Sequence, residues 1–243
     1  MAKEATKIDK DLVLLSHLKL RFALGILGLL LPTVLVASAI LGYQPIGRSI
    51  SIYYFTPHLG QFLTGALWAI GMFLLFYEGH SKIPDAFRKL PAWLTRYMSD
   101  ARLTTAAGFL ALVTAVVPTS ETSGQGPLVT TLAGIHLGAA AGFLSILAIM
   151  AIWVFTESDK PRAQWDQAKI WSNRVYVICG VTIFVSLAGA GLSFAAKRYW
   201  PDTTAVFWFE GLAIFAFGIA WLVKSKAIEK AAAFVASLAA PKA

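Results

Sequence analysis

Apolar residues along this chain come in six runs separated by polar segments, and run length sets the expected fold more than any periodicity does. The runs occupy 22–41, 59–77, 103–117, 128–155, 175–196 and 205–223. About 20 apolar residues cross the hydrocarbon of a bilayer at 1.5 Å of rise per residue, and backbone polar groups in lipid must be satisfied within the span. The expected fold is therefore all-α, a single domain over 1–243 built as a bundle of six transmembrane helices. The first run contains Ala37-Ser38-Ala39, which resembles a signal-peptide cleavage site. The run is too long for that role, and Glu4, Asp9 and Asp11 precede it, so it reads as a retained span that Pro32 kinks.

Between the second and third runs, Ile83, Phe87, Leu90, Leu94 and Tyr97 recur at three- and four-residue steps among Lys82, Arg88, Lys89 and Arg96. That pattern predicts an amphipathic helix lying in the membrane interface. The connection after Pro118 is rich in Gly, Ser and Thr and reads as an exposed turn. Gly134, Gly138 and Gly142 are spaced by four in the fourth run, which predicts a flat stripe for close helix packing. Gly180, Ser186, Gly189 and Gly191 suit the fifth run to the same purpose.

Composition agrees with this reading. Hydrophobic residues make up 57% of the 243 and charged residues only 14%, against about a quarter charged in ordinary soluble domains. The net charge of +8 suggests nucleic acid only until the charges are placed. The N-terminal segment, the second and fourth connections and the C-terminal segment hold 18 of the 21 Lys and Arg residues; the other three connections hold 3. By the positive-inside rule both termini are cytoplasmic, and no nucleic-acid partner is expected. The single Cys179 lies inside an apolar run and offers neither a disulfide nor a cysteine metal site.

With that orientation, depth follows from position. His58 opens the second span, His136 lies about two turns into the fourth, and Glu210 about one turn into the sixth, all near the outer face. Ser49, Ser51, Tyr53, Tyr54 and Thr56 precede the second span on the same side. Ionisable residues within spans are costly and usually face the bundle interior or a watery cavity. Ser49, Ser51, Tyr53, Tyr54, His58, His136 and Glu210 therefore make a candidate outer-leaflet pocket. Such a set is suited to acid–base or nucleophilic chemistry, to a metal, or to holding a lipid headgroup or a partner's side chain. No HxxxH, HExxH or CxxC spacing occurs, so neither a metal nor a cofactor is assigned.

Two stretches, SISIYYFTPH with the following ALWAIGMFLLFYEG, and FWFEGLAIFAFGIAWLVK, resemble a group of uncharacterised bacterial integral membrane proteins of the domain-of-unknown-function type. Together they cover about a fifth of the chain. The resemblance implies a multi-pass protein of the bacterial inner membrane and brings no activity with it. In those relatives an Arg-Asp pair follows the tyrosines, where this chain has Leu59 and Gly60. The expected function is non-enzymatic binding of membrane lipid, of another membrane protein or of a second copy of the chain. The alternatives are an intramembrane hydrolase acting on a lipid at the outer leaflet and a small transporter.

Overall fold

The computed structural model describes residues 2–77, 79, 83–119, 126–158, 160–196, 199 and 203–226, with side chains from Leu15 onward. Among the described residues the chain forms seven α-helices: α1 Ala2–Ile40, α2 Leu59–Leu75, α3 Ala92–Thr95, α4 Asp100–Val116, α5 Pro127–Ile149, α6 Gln167–Ala195 and α7 Ala205–Lys224. No strand occurs among the described residues. Among the described residues, four helical stretches are long and apolar enough to cross a membrane: Leu15–Ile40, Pro127–Val154, Gln167–Ala195 and Ala205–Lys224. Leu59–Leu75 is a shorter apolar helix. Ile178, Val181, Val185 and Leu192 of α6 stay exposed, which is compatible with a lipid-facing side.

The six long helices close into a ring in the order α1, α2, α4, α5, α6, α7, with α7 returning to α1. Leu24, Ile70, Phe143, Leu147, Ile183 and Phe217 meet in its core. Glycines make the tightest seams. A Cβ on Gly218 of α7 would lie 2.8 Å from the Leu29 amide of α1 and 2.9 Å from the Gly25 carbonyl. Gly71 of α2 and Gly108 of α4 approach one another in the same way, each within about 3 Å of the other's carbonyl if given a Cβ.

The stripe expected on the fourth span is corrected. A Cβ on Gly134 or Gly138 would meet nothing within 4 Å, because both face away from the bundle. Gly142 alone approaches a neighbour, Leu110 of α4 at 3.0 Å. On α6, Gly180 packs against Ala148 and Ile152, and Gly189 against the Phe209 ring, while Gly191 touches nothing.

The first helix and the segment after α2 differ from the sequence reading, while the fourth run keeps its bounds. The helix that forms the first span begins at Ala2 rather than near residue 22. α5 continues into a π-helical turn, Met150–Val154, where the Phe155 amide reaches back to the Met150 carbonyl. The segment expected to be one interfacial helix is two short turns, a 3-10 turn Asp85–Phe87 and the four-residue α3, each entered through a proline. Pro91 has no N–H and holds the residue before it out of the helical region, so a helix cannot run through it. Phe87 is buried against Trp153, and Ile83 and Leu90 pack on the core, which accounts for the apolar spacing without a continuous helix. His80, Ser81 and Lys82, and the tail from 227, lie outside the described residues.

At the end of α2 away from its histidine the bundle is closed by aromatic packing. Arg21 of α1 donates to the Tyr77 hydroxyl from Nη2 at 2.7 Å and from Nε at 3.1 Å. Tyr77, Trp221 and Phe155 pack edge to face, and the Lys224 ammonium lies 4.7 Å from the centre of the Phe155 ring.

Candidate functional site

The polar stretch between α1 and α2 folds back onto the mouth of the ring. Tyr53 pins it: its hydroxyl donates to the Pro45 carbonyl at 3.2 Å and accepts from the Gly47 amide at 3.1 Å. The Tyr53 ring is buried against Phe207 of α7, and the Phe207 amide donates to the Arg48 carbonyl at 3.1 Å. A 3-10 turn, Ser51–Phe55, follows, and α2 begins directly beneath it. Gly60 makes that approach possible, since a Cβ there would collide with the Tyr53 and Tyr54 carbonyls. Leu59 beside it is buried. At position 60, where the resemblance leads one to expect an Asp, this chain has room for no side chain.

Beneath the turn lies a cavity of about 60 Å³, enough for a few water molecules. α1 contributes Leu31, the turn Ile50, Ser51 and Tyr54, α2 Leu63, Thr64 and Leu67, and α4 Thr114. α5 adds His136, Ala140, Phe143 and Leu144, and α7 adds Glu210 and Ile214. Most of the wall is aliphatic or aromatic, and Glu210 is its one acidic side chain.

His136 is 5% exposed and spans two elements. Its Nδ1 lies 2.7 Å from the carbonyl oxygen of Val117, just past the end of α4, and its Nε2 lies 2.9 Å from the Ser51 hydroxyl. A carbonyl only accepts, so Nδ1 carries the proton, and the neutral ring presents a lone pair at Nε2. Ser51 therefore donates to His136, and the imidazole caps a carbonyl that the end of α4 leaves without a helical partner. Glu210 Oε2 accepts from the Ile50 amide at 2.6 Å. That tie satisfies a backbone donor at the bottom of the folded-back stretch and holds it to α7.

Of the seven residues expected at the pocket, Ser51, Tyr54, His136 and Glu210 come together around the cavity. Tyr53 fixes the stretch from behind. Ser49 is part-buried but does not line the cavity, and His58 is exposed at the start of α2 with a left-handed φ of 61°. His58, a candidate for the pocket, thus stands apart from His136 and Glu210: it supplies a backbone bend, and the Phe62 amide bonds to its carbonyl. Thr64 and Thr114 line the cavity and were missed, although counting residues inward from each span's end places both at this depth. The partner of Glu210 was missed for a different reason. It is a backbone amide, which no side-chain inventory points to. Among the described residues no group of three His, Cys, Asp or Glu side chains is placed to hold a metal.

Comparison with protein-family models, with curated proteins and with solved structures found no match to this chain.

Proposed function

We propose that this chain is a bacterial inner-membrane protein that crosses the bilayer six times, with both termini cytoplasmic, and that its cavity holds part of a membrane lipid. Six crossings are supported by the ring: α2 and α4, at 17 residues each, pack side by side within the circle of the longer helices. At about 25 Å they are a little short for the hydrocarbon, and the folded-back stretch extends α2 at its outer end. The basic asymmetry of the connections supports the orientation. Reporter fusions after Gly124 and after Ala243 are expected on opposite faces, and finding both on one face would refute the topology.

The observation that carries the binding reading is the meeting of Ser51, His136 and Glu210 in one mostly apolar cavity. Ionisable groups held inside a span serve a ligand or a pathway by default, and the aliphatic walls suit hydrocarbon next to the polar group they surround. Native mass spectrometry of gently purified protein tests this. A co-purifying lipid is expected on the wild type and should be lost from Ala140→Leu, which fills the cavity. An equally loaded variant that melts normally would refute the reading.

A hydrolase is the second reading, favoured by the Ser51 hydroxyl donating to an imidazole whose other nitrogen is fixed by a carbonyl. On that reading Ser51→Ala abolishes release of fatty acid from an ester lipid. On the binding reading the same variant leaves the lipid bound and unchanged.

A further inference from the structure

We infer that the cavity selects a primary ammonium group, so that its occupant is an amine-bearing lipid or another amphiphilic amine; this rests on the reading of the cavity as a ligand site. The inference comes from the direction of the hydrogen bonds around it. Ser51 gives its proton to His136 Nε2, and His136 gives its own to Val117. Thr64 gives its proton to the Gly60 carbonyl at 2.8 Å and Thr114 to the Leu110 carbonyl at 2.8 Å. The Ile50 amide is taken by Glu210. These donors are all engaged, and what the same groups turn toward the cavity is acceptor capacity: the Glu210 carboxylate and the lone pairs of Ser51, Thr64 and Thr114.

No Lys or Arg lines the cavity. A phosphate or carboxylate placed there would face a carboxylate and a set of lone pairs, with no cation and only the Tyr54 hydroxyl in the lining to donate to it. A hydroxyl has one proton to give, whereas an ammonium has three and carries the charge that complements Glu210. Tyr54 and Phe143 add aromatic lining, and aromatic rings attract cations. The aliphatic walls suit the carbons next to nitrogen better than they suit a hydrated metal ion. The cavity admits the ammonium end of a molecule and leaves the rest of it at the mouth.

The test compares three probes of equal length on the purified protein in a neutral detergent: n-butylammonium, 1-butanol and butyrate, by thermal melting and calorimetric titration. The ammonium is expected to bind on the order of tenfold more tightly than the alcohol, as a charged hydrogen bond implies. Butyrate should not bind. Glu210→Gln should remove the preference for the amine, and Ala140→Leu should remove binding altogether. The comparison on the wild type decides the matter even if Glu210→Gln does not fold. Equal binding of amine and alcohol overturns the ammonium inference and leaves the ligand site standing. Preference for butyrate overturns it too, as does amine binding that survives Ala140→Leu. Binding of none of the three overturns it, and the lipid reading falls as well only if Ala140→Leu keeps its lipid.

Discussion

Replacing Gly218 by Ala is the sharpest test of how the bundle is held together. α7 meets α1 along most of its length, and at Gly218 it lies directly against the backbone of Gly25, Gly28 and Leu29. A methyl there would sit 2.8 Å from the Leu29 nitrogen, 2.9 Å from the Gly25 oxygen and 3.0 Å from the Gly28 carbonyl carbon. All three are backbone atoms, so no side chain can turn away, and the helices must part by roughly half an ångström or more at the seam. Overpacking of this kind costs about 1–3 kcal/mol, while Ala in place of Gly returns roughly 0.5–1 kcal/mol of helix propensity. The net expectation is a loss of about 1–2 kcal/mol, or about 2–8 °C in melting temperature for a chain of this size. Gly138→Ala is the matched control. It lies on an exposed face with nothing within 4 Å, so only the propensity gain remains and its melting temperature should rise slightly or hold. Both variants would be melted in the same detergent, followed by circular dichroism. Gly218→Ala at or above the wild type, or Gly138→Ala well below it, would refute the placement of the seam.

Tyr53→Phe removes the hydroxyl that bridges Pro45 and Gly47 while keeping the ring against Phe207; it should cost about 1–2 kcal/mol, read as a lower melting temperature. Protease access to the 41–58 segment should rise with it, and unchanged access would contradict the pinning role. Glu210→Gln keeps an acceptor for the Ile50 amide and should melt within about 1 kcal/mol of the wild type, whereas Glu210→Leu orphans that amide and should cost about 1–3 kcal/mol. Equal melting of the two would show that the hydrogen bond contributes nothing.

The helical class, the long apolar helices and the placing of His136 and Glu210 toward one end of the bundle were legible because each depends on run length or position along a run. Ser51 and Tyr54 were legible as members of a dense polar stretch, but not as lining residues, since that depends on how the stretch folds back. The glycine seams were misread. Spacing by four in Gly134, Gly138 and Gly142 says that a smooth face exists, but not whether a helix covers it, and two of the three face outward. Gly25, Gly28 and Gly218 were passed over because a seam is a property of two helices, and Gly218 shows no partner glycine on its own helix at that spacing. The interfacial helix failed on chemistry that was visible, Pro84 and Pro91, which outweigh apolar periodicity in so short a segment.

The central claim is that Ser51 and His136 meet across the mouth of the bundle, 85 residues apart in sequence, to shape the cavity. A double-mutant cycle on the purified protein measures that meeting directly, with Ser51→Ala, His136→Ala and the double variant unfolded under identical conditions. The structure predicts a coupling energy of about 0.5–3 kcal/mol, with the second substitution costing less once the first is made. Strictly additive losses would contradict the hydrogen bond and, with it, the cavity built on it.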